Sequence, residues 1–483
     1  MNRILTEKVK AEMLNFGMDL VGFGPVRRWE NAPYLMSPKA ILPESQTVIV
    51  GAISITDTWT ELGGEPTPHD MGPGGWLDHN TFLDRSAYRV VRMLNDNGYK
   101  AIAVASSNIW RYRAFEDIPS LFAPDLSHIH AATAAGLAEI GWSGLAITPE
   151  FGNRCRFISI VTDAELVPTP MYDGPPLCDR CGDCIRNCPS MALKKDFNSK
   201  EPHVVKIGGK TYKYANKNIW CCAWAEHFDL NLDSETLKED GTINEQTILD
   251  EMHSKGKRSH ERGVCQKVCI PPHLRTRQPS FGRPDKTISM NRINKRYPDS
   301  MPTLRKMRDD ISAFAVKLGI DLVSFAPLQF DAEISKVVMQ ENPGACTVIA
   351  FASHTLKDDK QVQENYVYDK AAFMLMHHNM IRLIKLIESY GYSAASYKQG
   401  AHCGINDKEL AAMTDLGEIR DNNLFTEFGL NQVTGVIITN SSVDTSNKIH
   451  QKLEQSSVKK LTGKNCDTNL KTWLQKSLLV YLE

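Results

Sequence analysis

Hydrophobic positions along the chain follow two periods, one typical of helices and one typical of strands. The opening stretch MNRILTEKVKAEMLNFGMDL spaces its apolar side chains three to four residues apart and predicts an amphipathic helix. RSAYRVVRMLNDNGY at 85–99 predicts a second, long helix. The β-branched runs TVIVGAIS at 47–54 and RFISIVTD at 156–163 predict buried strands. Helices and strands in alternation predict an α/β (α+β) fold.

The same pattern occurs twice in the chain. GMDLVGFGP at 17–25 returns as GIDLVSFAP at 319–327, and TVIVGAIS returns as TVIAFASH at 347–354. We therefore predict one α/β unit used twice, the second copy being a degenerate scaffold or lid. The predicted domains are an α/β domain at 1–166, a cysteine-rich domain at 167–276, a linker at 277–303, the second copy at 304–445 and a tail at 446–483.

Composition and charge narrow the class of protein. The 483 residues are 42% hydrophobic and 23% charged, the balance of a folded domain protein. Lys and Arg number 56 against 57 Asp and Glu, so the net charge of −1 argues against a nucleic-acid partner. The basic stretch KGKRSHER at 255–262 is interpreted as a solvated loop. No apolar run is long enough to cross a bilayer and no export signal is present, which predicts a cytoplasmic protein without a membrane partner.

Nine of the twelve cysteines lie between Cys155 and Cys269. Four of them form the run C-x2-C-x2-C-x3-C-P, which is typical of bacterial ferredoxins and predicts an iron–sulfur cluster. The run consists of Cys178, Cys181, Cys184 and Cys188, followed by Pro189. Its last spacer and its proline direct the fourth thiolate toward a second cluster.

The second cysteine run is incomplete. Cys265 and Cys269 have the C-x3-C spacing, but Arg262 stands where a further cysteine is expected, and the nearest spare thiols are the adjacent Cys221 and Cys222. Crossed ligation would give one cluster Cys178, Cys181, Cys184 and Cys269, and the other Cys188, Cys265 and one or both of Cys221 and Cys222. The second site could then be a three-iron cluster, a cubane using both adjacent thiols, or a cubane with a ligand such as His260. Zinc is the alternative metal, although zinc sites favour two separated C-x2-C pairs.

These motifs resemble one enzyme family. AAGLAEIGWSGLAITPEFGNRCRFISIVTDAEL at 134–166, the ferredoxin run and the later C-x3-C are together similar to the cobamide-dependent reductive dehalogenases and their relatives, the epoxyqueuosine reductases. The resemblance implies a nitroreductase-like domain that binds a corrinoid base-off, a ferredoxin-like insertion with two 4Fe-4S clusters, and a degenerate second domain copy. It also implies an oxidoreductase that removes halide from a small organic substrate, with electrons from a ferredoxin or flavodoxin-type donor.

The resemblance also implies candidate site residues. Arg156 would hold a halide, carboxylate or phenolate, and Tyr112, preferred over Tyr88 and Tyr99, or Asp125 would donate a proton. Gly136, Gly141 and Gly144, in a small-residue segment, would let the backbone approach the corrinoid. The plainer interpretations are a strand-end arginine and a helix-capping aspartate, and His128 and His130 are alternative proton donors. Two other functions stay open: a tRNA-modifying epoxyqueuosine reductase, and a ferredoxin-like electron-transfer protein without catalysis.

Overall fold

The computed structural model describes most of the chain in two compact units. One unit comprises Met1–Asp70 and His79–Asn294, and the other Met71–Asp78 and Lys295–Glu483. The described residues are 1–62, 76–107, 110–111, 113–116, 118, 121–193, 201–228, 230–232, 234–238, 243–255, 264–276, 292–293, 303–328, 332–342, 344–354, 362–396, 406–430, 432–443 and 449–452. None of the described helices combines the length and the apolar character needed to cross a membrane.

The first unit contains ten described helices and twelve described strands. The helices are α1 Arg3–Asn15, α2 Pro38–Ile41, α3 Asp57–Leu62, α4 Trp76–Asp96, α5 His128–Ala134, α6 Asp183–Arg186, α7 Ile219–Glu226, α8 Glu235–Lys238, α9 Glu245–Lys255 and α10 Val264–Val268. The strands are β1 Leu20–Pro25, β2 Thr47–Ser54, β3 Ala101–Val104, β4 Trp110–Arg111, β5 Ala123–Pro124, β6 Glu139–Ile140, β7 Ala146–Ile147, β8 Cys155–Thr162, β9 His203–Ile207, β10 Lys210–Tyr214, β11 Arg275–Thr276 and β12 Arg292–Ile293.

The main sheet of this unit is antiparallel, with the order β1-β2-β8-β3. Thr47 pairs with Thr162, which also pairs with Ala101 on the other side. Every residue of β2 is buried, because helices cover both faces of the sheet. This explains why TVIVGAIS is a continuous apolar run rather than an alternating one.

The two faces of the sheet pack against different partners. Helices α1 and α4 cover one face, and α5 with the β9–β10 hairpin covers the other. Gly22 of β1 lets α5 approach closely, since a Cβ there would lie 2.5 Å from the carbonyl oxygen of Ala135. The alanines of the small-residue segment are therefore buried against protein.

The second unit contains four described helices and seven described strands. The helices are α11 Leu304–Lys317, α12 Glu333–Glu341, α13 Val362–Ser389 and α14 Asp407–Met413. The strands are β13 Leu322–Pro327, β14 Thr347–His354, β15 Ala394–Ala395, β16 Glu418–Arg420, β17 Asn423–Phe425, β18 Gln432–Thr439 and β19 Ile449–Lys452.

The sheet of the second unit has the order β15-β18-β14-β13-β19 and is also antiparallel. Thr347 pairs with Thr439, which also pairs with Ala394, the same register as in the first unit. Both units are thus mixed α/β, which confirms the predicted class.

The boundaries of the predicted linker and tail differ from the structure. Strand β19 lies within the predicted tail and pairs with β13, whose free edge would otherwise expose unpaired backbone groups. Strand β12 lies within the predicted linker and pairs with β11. Short two-residue and four-residue strands carry too little sequence pattern to be predicted.

Candidate iron–sulfur centre

Two cysteines of the ferredoxin run, Cys178 and Cys181, precede helix α6, and Cys184 lies in its first turn. Gly182 has φ of +78° and immediately precedes the helix, a left-handed conformation that glycine adopts readily. Burial, together with the charges of Cys178 and Cys181, raises the pKa of the Cys184 thiol to about 11. The backbone N–H of Trp142 donates to Cys178 Sγ at 3.4 Å. The turn and the start of α6 therefore bring together three thiols whose charges influence one another, and a backbone N–H donates to one of them.

Cys269 joins these three cysteines from a distant part of the sequence. Burial raises the pKa of the Cys269 thiol well above its ordinary value, and the negative charges of neighbouring Cys178, Cys184, Cys265 and Cys181 add to this effect. Four thiolates this close repel one another unless a cation lies between them. The first thiol group, Cys178, Cys181, Cys184 and Cys269, has the membership that crossed ligation predicts.

An ion pair joins the ferredoxin run to the segment that follows Cys269. Arg275 donates to both carboxylate oxygens of Asp179, with Nη1–Oδ2 at 2.8 Å and Nη2–Oδ1 at 3.0 Å. The same guanidinium donates from Nε and Nη2 to the carbonyl oxygen of Ile270. Arg275 holds the pKa of Asp179 below its usual range. Because one side chain binds both segments, it fixes Cys269 beside the first run.

Hydrogen bonds from Asn153 and Arg154 hold the segment Cys265–Cys269 against the main sheet. Arg154, fully buried at the entry to β8, donates to Asp57 Oδ1 at 2.9 Å and to the carbonyl oxygen of Lys267 at 3.0 Å. Asn153 donates to the carbonyl oxygen of Cys265 at 2.9 Å. The cysteine segment is therefore held by the residues that begin a central strand.

The second thiol group consists of Cys188, Cys222 and Cys265. Burial raises the pKa of Cys265, and the charges of Cys222, Glu226 and Cys188 raise it further, while Lys217 lowers it. Burial raises the pKa of Cys222 as well, and its strongest electrostatic neighbour is Lys217. The charge of Cys222 raises the pKa of Lys217, which stays cationic beside the thiols. Arg262 and His260, where a fourth ligand was considered, lie outside the described residues.

The adjacent cysteines of α7 have different surroundings. Cys221 is fully buried in an apolar cluster with Trp224 and Leu230, whereas Cys222 lies beside the thiols of Cys188 and Cys265. Consecutive residues on a helix point about 100° apart, so both thiols cannot face one site directly. The packing favours Cys222 as the ligand.

Zinc sites and iron–sulfur clusters arrange their ligands differently. Within the part of the chain that the structure describes, no three His, Cys, Asp or Glu side chains could hold one metal ion together. A structural zinc site needs four such side chains around one ion. A 4Fe-4S cluster takes each of its four cysteines on a separate iron, so its thiols stand around a volume rather than a point.

Arg156 lies on β8, within electrostatic reach of Glu226 and Asp84. Burial lowers the pKa of its guanidinium, while the charges of Glu226 and Asp84 raise it. Its Nε is buried without a hydrogen-bond partner. Glu226 in turn influences Cys222 and Cys265. A buried donor without a hydrogen-bond partner is a candidate anion-binding group.

His128 is a structural residue in this geometry. Its Nε2 lies 2.8 Å from the carbonyl oxygen of Ala105 and its Nδ1 lies 2.8 Å from Ser159 Oγ. A carbonyl can only accept, so Nε2 carries the proton and Nδ1 accepts from the serine. Burial lowers the pKa of His128 to about 4, helped by the charge of Arg156. Burial alone lowers that of His130 to about 4.

The other predicted site residues fall in different places. Asp125 is 56% exposed and pairs with Arg111, so it lacks the apolar surroundings expected of a proton donor. It does not cap α5 either, because Ser127 is the N-cap and accepts from the backbone of His130. Tyr112 lies outside the described residues.

The three predicted corrinoid-binding glycines all contact protein. A Cβ at Gly136 would lie 2.0 Å from the carbonyl oxygen of Pro170, and one at Gly141 2.4 Å from Ile147. A Cβ at Gly144 would lie 3.3 Å from the ring of Tyr214. Packing accounts for these glycines, and a ligand role for them stays a prediction.

Sequence reasoning missed the residues that position the cysteines: Asp179, Arg275, Arg154 and Lys217. Asp179 lies inside the ferredoxin run, and Arg275 follows the second run. Their opposite charges could have indicated that the two runs lie close together. The role of Arg154 could not be predicted, because the local sequence does not distinguish a buried arginine from a surface one.

Comparison with known proteins gives partial matches. No protein-family model matches the chain. The tetrachloroethene reductive dehalogenase of Sulfurospirillum multivorans is 36% identical over 85 residues, 17% of this chain and 17% of that protein. A dehalogenase of the same description from Desulfitobacterium hafniense is 36% identical over 77 residues, 16% of this chain. The chain thus spans only 17% and 13% of the lengths of these curated relatives.

Two solved structures also match. Epoxyqueuosine reductase from Streptococcus thermophilus matches with a TM-score of 0.31 and 15% identity, over 54% of this chain and 64% of that one. A catabolic reductive dehalogenase matches with a TM-score of 0.28 and 14% identity, over 91% of this chain and 60% of that one. The chain is a mixed α/β protein, and a segment of 85 residues is similar in sequence to a tetrachloroethene reductive dehalogenase.

Proposed function

We propose that this chain is an iron–sulfur oxidoreductase of the reductive dehalogenase type. The observation that carries the proposal is the sorting of seven cysteines from distant segments into two buried thiol groups. Each group is built from both the 178–188 run and the 265–269 run. This is the arrangement that two clusters with crossed ligation require.

The chain itself places the two proposed clusters next to each other. Cys265 belongs to one thiol group and Cys269 to the other, and the backbone N–H of Cys269 donates to the carbonyl oxygen of Cys265 at 3.1 Å. One helical turn therefore separates ligands of the two sites. Such spacing suits transfer of single electrons from one site to the other.

A corrinoid is the second proposed cofactor. When bound, it would supply the strongly reducing metal that acts on a carbon–halogen bond. The residue that fits such a site is Arg156, whose buried Nε has no hydrogen-bond partner and whose electrostatic neighbour Glu226 also influences Cys222 and Cys265. The segment 131–144 fits it less well, because its alanines and glycines contact protein.

Arg156 is the proposed anchor for an anionic group of the substrate. Its guanidinium can donate two parallel hydrogen bonds to a carboxylate, or bind a phenolate or departing halide. Burial strengthens such contacts because water competes less. The proposed substrate class is therefore a halogenated organic molecule with an anionic substituent. Arg156→Lys should weaken its binding by roughly tenfold or more, because a lysine cannot make the paired contact.

Anaerobic purification from a host supplied with cobalamin tests the proposal. We expect about eight irons and eight sulfides per chain if both clusters are cubanes, and one cobalt. Iron and sulfide without cobalt would instead select an electron-transfer protein, an alternative favoured by the filled small-residue segment. Absence of iron would contradict both functions.

A further inference from the structure

A group of cations surrounds the exposed side of the first thiol group. We name it the basic collar and define it by Arg180, Arg186, Lys206 and Lys213. All four side chains are exposed, while Cys181, next to Arg180, is half-buried. The collar therefore lies where the first thiol group comes closest to solvent.

Direct contacts join the collar to the thiols. The guanidinium of Arg180 stacks over the indole of Trp142, 3.9 Å from the ring centroid. The backbone N–H of that tryptophan donates to Cys178 Sγ. Arg180 also donates from Nη2 to the carbonyl oxygen of Lys213 at 3.3 Å, which places the end of β10 beside it. The collar is thus fixed to the cysteine turn.

The outer face of the β9–β10 hairpin supplies the rest of the surface. Lys206 pairs with Thr211, and Lys213 pairs with Val204, so these four side chains share one face. The opposite face, with Ile207 and Tyr212, is buried against the unit. Val204 is 55% exposed, an apolar side chain between two lysines. Such a mixture of cations and exposed apolar area is typical of transient protein-binding surfaces.

The acidic side chains near the collar are already paired. Asp179 binds Arg275, and Asp183 binds Arg186. Among the described residues, Arg180, Lys206 and Lys213 form no ion pair with an acid. The whole chain has a net charge of only −1, so three unpaired cations on one small surface are a local feature of it.

We propose that the basic collar is the docking surface for an acidic, one-electron carrier protein. This inference rests on the proposed function and names its electron donor by chemistry. In each encounter the carrier is oxidised by one electron, and the iron–sulfur site beside Cys181 is reduced by that electron. Long-range attraction between opposite charges orients the carrier with its redox centre toward this side of the chain.

The small size of the surface agrees with such a partner. Electron-transfer encounters bury less surface than stable complexes do, because the partners must separate after each transfer. Four cations around one half-buried cysteine make a surface of that kind. A stable subunit would need a larger apolar area.

Charge reversal tests the proposal on the full chain. The variant carries Lys206→Glu and Lys213→Glu, and the matched control carries Lys8→Glu and Lys10→Glu, two exposed lysines of α1. The probe is a reduced two-cluster ferredoxin with a strongly negative net charge. Stopped-flow absorbance measures cluster reduction by ferredoxin and, separately, by dithionite, and calorimetry measures ferredoxin binding at low salt.

We expect the collar variant to react with ferredoxin about tenfold more slowly or worse at low salt, and to bind it correspondingly more weakly. Added salt should reduce the difference between variant and control. Dithionite should reduce both proteins equally, because it needs no docking surface. Equal ferredoxin rates and affinities in variant and control would overturn the collar proposal. A protein without any reducible cluster, even with dithionite, would instead overturn the proposed function.

Discussion

The two sheets are built on the same register of threonines. Thr47 pairs with Thr162 in the first unit, and Thr347 pairs with Thr439 in the second. In both units an aspartate just before the first strand accepts a hydrogen bond from the backbone N–H of the last residue of the second strand. Asp19 accepts from Ser54 in the first unit, and Asp321 accepts from His354 in the second. The shared backbone contacts show that the repeat in the sequence is a repeat in structure.

The side chains near the functional end of that sheet differ. Six residues before Thr162 stands Arg156, and six residues before Thr439 stands Val433. Ser159, which binds His128 in the first unit, corresponds by register to Val436. The backbone plan of the sheet is therefore shared, whereas valines of the second unit stand where the first unit has Arg156 and Ser159.

An acid and a histidine exchange places between the units. Asp84 of α4 acts on His128 at the start of α5. At the corresponding helix positions His377 of α13 acts on Asp407 at the start of α14. In each unit an aspartate and a histidine thus lie within electrostatic reach of each other at corresponding positions.

The largest expected difference between the units concerns metal. Cys269→Ser should remove the first cluster and with it about half of the bound iron, because four cysteines are needed to hold a 4Fe-4S cluster. Cys346→Ser, a half-buried cysteine of the second unit, should leave the iron content unchanged. Iron analysis and electron paramagnetic resonance of the reduced proteins measure both. Equal loss in the two variants would contradict the assignment.

The next largest expected difference between the units is in the loss of stability when an ion pair is broken. Arg154→Met leaves Asp57 without its partner, and we expect roughly 3 kcal/mol of lost unfolding free energy, the lower end for a broken buried ion pair. Asp57 retains 18% exposure, which limits the penalty. Arg420→Met breaks the exposed pair with Glu418 in the second unit and should change stability by about 1 kcal/mol or less. Denaturant unfolding compares the two, and similar losses would show that the first pair is not buried in solution.

A smaller loss of stability is expected from substitutions in two corresponding strands, β1 facing α5 and β13 facing α14. Gly22→Ala puts a methyl group against the carbonyl oxygen of Ala135 and should destabilise the protein by roughly 1–3 kcal/mol. The corresponding Ser324 donates its hydroxyl to the carbonyl oxygen of Thr414, and Ser324→Ala should cost about 1 kcal/mol. Thermal unfolding measures both. A neutral Gly22→Ala would mean that α5 can move away from β1.

The smallest effect near neutral pH comes from His128. Its pKa falls from 6.5 to about 4 on folding, so the unfolded chain binds the proton more readily between these values. Its contribution to stability is complete above about pH 6.5 and is lost progressively as the pH falls toward 4. We expect a shallow loss between pH 7 and 6, and His128→Gln should reduce it in part, because burial also lowers the pKa of His130 to about 4. His203→Gln, an exposed histidine of β9, should leave the pH profile as it is.

Local patterns predicted much of this protein. The amphipathic helix α1, the strands β2 and β8 and their counterparts in the second unit follow from apolar periodicity, since both faces of each sheet are buried. The grouping of Cys178, Cys181 and Cys184 followed from their spacing. The roles expected of Asp125 and the three glycines depended on which neighbours folding would bring to them, and spacing carries no such information.

By itself the sequence determined the number of α/β units, the order of their elements and the identity of the thiols near one another along the chain. Crossed ligation predicted from the sequence that Cys269 joins the first thiol group. Only the tertiary structure distinguished Cys222 from Cys221 and showed that Arg275 and Arg154 hold the cysteine segments. The physical reason is the distance along the chain over which each kind of interaction acts. Periodicity and short spacings act within a few residues, whereas ligand sets, buried ion pairs and charged surfaces are made between residues that only folding brings together.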